Sequence, residues 1–184
     1  MQAFIFKGQP ILSEFRLKAL LAAFAEQVKA SNETGVARVD TIDAVAIYVV
    51  KAQAVLDTET RLRALALLNA MGEFDRPGGF FVTPRKGTIS PWSTKASDIF
   101  RNCSLEGITS VERGIHYYLK DKEGKEVTAL EVGSALHALH DRMTEAVYED
   151  LSDFFVDHEP APHETVPLLK EGAQALHQAN VDWG

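Results

Sequence analysis

With 184 residues, 46% of them hydrophobic, the chain can fill one core of ordinary size and carry a small appendage. Acids outnumber bases 26 to 19, a net charge of −7, which argues against nucleic acid as the main partner because phosphate binding needs a basic face. The single Cys103 excludes an intrachain disulfide, no basic-then-apolar leader opens the chain, and no run approaches the roughly 20 apolar residues of a membrane span, so a soluble, reducing, cytoplasmic setting without membrane partners is expected.

Ala3-Phe4-Ile5-Phe6 reads as a first strand, closed by Gly8 and Pro10. Ser13 caps a helix whose Leu17, Leu20, Leu21, Phe24 and Val28 recur at helical spacing, and the polar stretch after residue 30 stops it. From 36 to 50 the chain turns β-branched, with Val45, Ile47 and Val49 alternating against Ala46, Tyr48 and Val50, and Asp43 suggests a bend. Asp57 or Thr58 caps a second helix through Leu62, Leu65 and Leu68, after which 72–79 return the chain to a buried strand, Phe80-Phe81-Val82.

Pro84 ends that strand by removing a ladder donor, and Gly87 permits a sharp turn. Ser90 and Pro91 then fit the N-cap and first position of a third helix, whose Trp92, Ala96, Ile99, Phe100 and Cys103 share a face. Arg85, Lys86 and Lys95 cluster around its N-terminus, where free amides and the helix dipole favour an anion. In the next strand Val111, Ile115, Tyr117 and Leu119 share a parity that Arg113 interrupts; if buried, that arginine needs an anionic partner. After a polar turn at 121–124, Val132, Leu136, Leu139, Met143, Val147 and Leu151 predict one long fourth helix.

The element order is strand, helix, strand, helix, twice over. Amphipathic helices with single stripes predict an α+β fold, a doubled unit forming a mostly antiparallel sheet with helices mainly on one face, plus a C-terminal linker helix. The domain is expected to span 1–155. Residues 157–164, with two prolines and alternating charges, read as a stiff linker opening a second unit over 156–184, in which Leu168, Leu169, Ala173 and Leu176 form a short striped helix. Trp183, left without a burying element, reads as the mark of a cut or of a segment meant to dock elsewhere.

His137, His140 and Asp141 have a spacing open to metal ligation, but surface hydrogen bonding is the commoner fate and no metal is assigned. Cys103 sits in an apolar stripe and reads as a structural thiol. No Gly-x-Ser-x-Gly or phosphate-loop motif occurs, so no catalytic residue and no cofactor is assigned to these residues.

Thr83-Pro84-Arg85 with Gly87-Thr88-Ile89-Ser90-Pro91-Trp92-Ser93, then Lys95-Ala96, Asp98-Ile99, Asn102-Cys103 and Glu112-Arg113-Gly114, closely resembles the N-terminal domain of the large, single-chain phosphoribosylformylglycinamidine synthases. Gly8, Pro10, Leu12-Ser13 and Phe15-Arg16 resemble that family's opening, and His140-Asp141-Arg142-Met143-Thr144-Glu145 its characteristic helix. The resemblance implies a ligase of purine biosynthesis that uses ATP, magnesium and glutamine to convert formylglycinamide ribonucleotide into its amidine. Its synthetase and Cys-His-Glu glutaminase parts lie elsewhere in the polypeptide and are the implied partners. The implied role here is architectural, packing between those parts and enclosing the ammonia route. Candidate interface or anion-binding residues are Arg85, Lys86, Thr88, Ser90, Trp92, Ser93, Lys95 and Arg113, with His140 and Arg142. The rival reading is a free-standing, non-enzymatic anion-binding or oligomerising module.

Overall fold

In the computed structural model, which describes residues 2–30, 38–156 and 165–183, a first set of elements runs β1 (Gln2–Pro10), α1 (Glu14–Ala30), β2 (Thr41–Ala52), α2 (Thr58–Leu68) and β3 (Gly72–Glu73). A second set runs β4 (Phe80–Pro84), α3 (Pro91–Asn102), β5 (Ile108–Lys120), β6 (Glu126–Val127), α4 (Ala129–Val132), a 3-10 turn (Gly133–Ala138) and β7 (Glu145–Tyr148). Two further helices follow, α5 (Leu168–Glu171) and α6 (Ala173–Trp183). The residues expected to stop α1, 31–37, and the proline segment 157–164 lie outside the described residues.

The fold is α+β, built on an antiparallel sheet in the order β3-β1-β2-β5-β4-β7, with β6 on β5. The doubling is visible in that order: β2 and β5 pair at the centre, β1 and β4 flank them, and the short strands β3 and β7 take the two edges. Each half is thus a strand, helix and strand folded back on one another, with an edge strand added after a second helical segment.

Side-chain alternation then assigns the two faces. Ile42 and Ala44 of β2, with Tyr117 and Leu119 of β5, pack under α1 and the 3-10 turn. Val50 and Ala52, with Val111 and Ile108, pack under α2 and α3 through Leu68, Ala96 and Phe100. All of these helices lie on one face. The opposite face, Val45, Ile47 and Val49 of β2, is covered by Leu151 and Phe154 from the segment after β7. Ile47, Val49, Val50 and Phe6 are fully buried, each contributing about 1.5–3 kcal/mol of hydrophobic stabilisation.

Close approach of β4 to β5 depends on Gly114. A Cβ there would stand 2.5 Å from Thr83 Cγ2 and 2.8 Å from the Val82 carbonyl oxygen.

Three expectations are corrected by the structure. The long fourth helix is absent: Gly133 (φ 58°) ends α4, and Asp141 folds the chain by accepting from the Met143 amide (2.8 Å) and the Thr144 hydroxyl (3.0 Å). Its apolar stripe divides, with Val132 and Leu139 under the helix layer, Val147 paired with Val82 in the sheet, Leu151 on the opposite face, and Met143 in solvent at 82% exposure. Asp43 marks no bend; β2 runs straight through it opposite Tyr118, and its carboxylate pairs with Arg76. In α2 the core is met by Ala64 and Leu68, while Leu62 points to water.

Candidate functional site

The helix layer has a gap. Between the part covered by α1 and the part covered by α2 and α3, the sheet presents Ala46 and Tyr48 from β2 beside Ile115 and Arg113 from β5, roofed only in part, by Trp92 at the start of α3. Tyr48 and Arg113 are direct cross-strand partners, as are Ala46 and Ile115. These four residues floor a cleft of about 940 Å³ walled by the turn after β4 and by the 143–145 segment. Arg113 lies at the inward parity its sequence pattern indicates, yet it is exposed because the gap opens above it. Its inward position therefore needs no buried counter-charge.

The wall after β4 is built from local hydrogen bonds. The Arg85 carbonyl accepts from the Thr88 amide (3.0 Å) and hydroxyl (2.6 Å), and Gly87 adopts φ 81°, which an L side chain resists. Ser90 is the N-cap of α3, its hydroxyl accepting from the Ser93 amide at 3.0 Å, with Pro91 at the first helical position.

The same hydroxyl donates to Glu112 Oε1 at 2.9 Å, and the Ser90 amide donates to Glu112 Oε2 at 3.3 Å. Glu112, only 1% exposed, also accepts from the Arg113 amide at 2.8 Å. The anion that the α3 N-terminus faces is thus a side chain of β5, which locks the turn from behind.

The candidate residues divide into three groups. Arg85, Thr88, Ser90, Trp92 and Arg113 line the cleft together. Trp92 stacks on Tyr48 with ring centroids 6.0 Å apart and planes 21° off parallel, and the Arg113 guanidinium lies 5.6 Å from the Trp92 centroid. Arg85 donates to the Arg142 carbonyl oxygen at 2.6 Å, so Arg142 serves the wall through its backbone.

Lys86 turns the other way, over the Tyr148 ring (4.5 Å) and into an ion pair with Asp153. Ser93 is buried beside Glu112 at a second, smaller cleft of about 440 Å³ on the far side of the turn. Lys95 is exposed on α3 and His140 places Nδ1 3.0 Å from the Leu136 carbonyl; neither lines the main cleft. His137 and His140 stand 6.1 Å apart by ring centroid, Asp141 is engaged in its own turn, and among the described residues no group of three His, Cys, Asp or Glu is placed to hold a metal.

Residues the sequence reading passed over are Tyr48, Glu112 as an acceptor for Ser90, and the Met143-Thr144-Glu145 rim. Glu112 carries a readable signal: it shares a parity with His116, and both are buried polar groups on the same strand. Tyr48 needs the β2–β5 register, which the sequence does not disclose.

Electrostatically the cleft lining holds two guanidinium groups and one carboxylate, that of Glu145, which accepts from the Asp141 amide at 2.9 Å. The Asp141 carboxyl is itself held below the usual range by the Met143 amide and the Thr144 hydroxyl. Deeper in the sheet, burial pushes the Tyr117 phenol up to about 12, so it stays protonated. The surface suits binding and contact: rigid, partly apolar and cationic at one wall.

Among the described residues no helix is long and apolar enough to cross a membrane. A family model described as formylglycinamide ribonucleotide amidotransferase N-terminal matches residues 45–155, a span that includes β5 and most of β2, the turn after β4 and the 143–145 rim.

Proposed function

The chain belongs to the formylglycinamide ribonucleotide amidotransferase N-terminal family, and from that membership we propose that it is an architectural part of the enzyme rather than a seat of its chemistry. In this reading residues 1–155 form the domain and 156–184 begin a linker unit, the family match ending at the same Phe155. The synthetase portion, with ATP and magnesium, and the glutaminase portion belong to the same polypeptide. The domain packs between them and helps enclose the path of ammonia in the conversion of formylglycinamide ribonucleotide to its amidine.

The observation that carries this is the cleft. Its Arg85 wall, Trp92 and Arg113 are fixed in an opening of the helix layer, and the turn that bears two of them is locked from behind by Glu112. A surface made rigid at such cost to sequence freedom suits accurate docking of another protein surface. Holding two active sites in register is a positioning task, and positional error is costly in rate.

The test uses the full-length enzyme with Arg85→Gln and Trp92→Ala, and Lys95→Gln as a comparison outside the cleft. Glutamine-driven turnover is expected to fall by about tenfold while ammonia-driven turnover is largely retained. Unchanged activity from both nitrogen sources, with unchanged substrate affinity, would sink the reading. Residues 1–184 alone are expected neither to hydrolyse glutamine nor to consume ATP.

A further inference from the structure

We propose that the cleft between α1 and α3 seats a protein segment of the same enzyme that carries one carboxylate flanked by apolar side chains, the carboxylate closing on Arg113. This deepens the docking reading above and rests on it. The first observation is the state of Arg113. Its side chain is exposed, lies against Trp92, and among the described residues makes no hydrogen bond or ion pair. The other guanidinium in the cleft, Arg85, already donates to the Arg142 carbonyl. Arg113 is thus the cleft guanidinium with its whole fork open, in a chain where acids exceed bases 26 to 19. A planar guanidinium held over an aromatic ring matches a carboxylate in the bidentate mode.

The second observation is the apolar rim. Ile89 and Met143 stand at the mouth with 79% and 82% of their surface in water, above a floor of Ala46 and Ile115. Large side chains left in solvent around a polar anchor mark a protein contact. A small anion would leave them wet. Glu145 in the same lining limits the occupant's charge, because further acids on the segment would face a like charge. The occupant is therefore monoanionic at the contact and apolar on either side.

The experiment places a photo-crosslinking residue at position 143 of the full-length enzyme, and at position 89 in a second variant. The expected product joins the rim to one peptide outside residues 1–184 that contains an Asp or Glu among apolar residues. Arg113→Glu, and separately Arg113→Gln, should lower its yield by about tenfold, while Lys95→Glu leaves it unchanged. Replacing the partner acid by Arg in the Arg113→Glu background should restore it.

The inference is overturned by crosslinks to a peptide without an acid, by crosslinks to no second peptide from either position, by a yield indifferent to Arg113, or by competition from millimolar inorganic phosphate. Loss of the crosslink prediction together with a selective fall in glutamine-driven turnover in the Arg85 and Trp92 variants removes this occupant and leaves the docking reading standing. A charge-dependent crosslink with both activities untouched supports the occupant and removes the proposed role in ammonia transfer.

Discussion

Ser90 and Glu112 are joined by two hydrogen bonds, hydroxyl to Oε1 at 2.9 Å and amide to Oε2 at 3.3 Å, which tie the start of α3 to the middle of β5. Glu112 is 1% exposed, and its removal leaves the Ser90 hydroxyl, the Ser90 amide and the Arg113 amide without their acceptor. Hydrogen bonds to a charged group are each worth about 1.5–3 kcal/mol. Glu112→Ala is therefore expected to lower the unfolding free energy by about 3 kcal/mol, and Glu112→Gln, which keeps one acceptor and the shape, by about half that. Urea titration of both variants decides it; equal stability with the parent would show that the turn does not depend on this carboxylate.

His116 gives a pH prediction with a defined sign. Its Nε2 lies 2.8 Å from the Gly78 carbonyl oxygen, so that nitrogen carries the proton, while Nδ1 is buried without a partner among the described residues. The ring packs between Phe74 and Phe81, and burial holds its proton affinity below the ordinary value of 6.5. In the unfolded chain the imidazole protonates as pH falls through 6.5; in the folded chain it stays neutral to lower pH. Stability attributable to this residue is thus intact above 6.5 and is lost as pH falls below it, by at most about 1.4 kcal/mol per pH unit. Denaturation midpoints measured from pH 7.5 to 5 should fall for the parent and flatten for His116→Gln.

The sequence disclosed the elements that rest on local chemistry and missed those set by distant pairing. Ser90-Pro91 announces its cap, and the capped helix is there. Single-striped helices imply one covered face, and the helices do share a face of the sheet. The 132–151 stripe misled because a 3–4 residue recurrence also arises when successive buried residues serve different layers: Val132 under the helices, Val147 in β7, Leu151 behind the sheet. The cleft was half legible. A charged residue at an inward parity, Arg113, marks a hole in the helix layer, but that Tyr48 stands beside it follows only from the β2–β5 register.

Gly114 tests a tight point of the doubled sheet. With Thr83 Cγ2 at 2.5 Å and the Val82 carbonyl at 2.8 Å from an added Cβ, β4 cannot keep its distance from β5 once a side chain is present. Neither obstacle is the free end of a long side chain. Gly114→Ala is expected to cost about 2–3 kcal/mol, in the range of overpacking in a dense core. Hydrogen exchange should locate the damage at the β4–β5 pairing of residues 80–82 with 115–117 and leave the β1–β2 pairing protected. Uniform loss of protection across the sheet, or none, would contradict this.

Arg113 and Trp92 share one cleft but are expected to differ in what they do for folding. Trp92 is half-buried and stacks on Tyr48, so Trp92→Ala removes aromatic area from the layer over β2 and should cost about 2 kcal/mol or more. Arg113 is exposed and contributes only its contact with the Trp92 ring, which at such a site is worth about 0.5–1 kcal/mol. Arg113→Ala should therefore leave the unfolding free energy within about 1 kcal/mol of the parent while shifting the Trp92 fluorescence. The sequence holds two tryptophans, so the comparison is made in a Trp183→Phe background. A loss from Arg113→Ala as large as that from Trp92→Ala would make the arginine part of the scaffold and take away the reason for assigning its free donors to a partner.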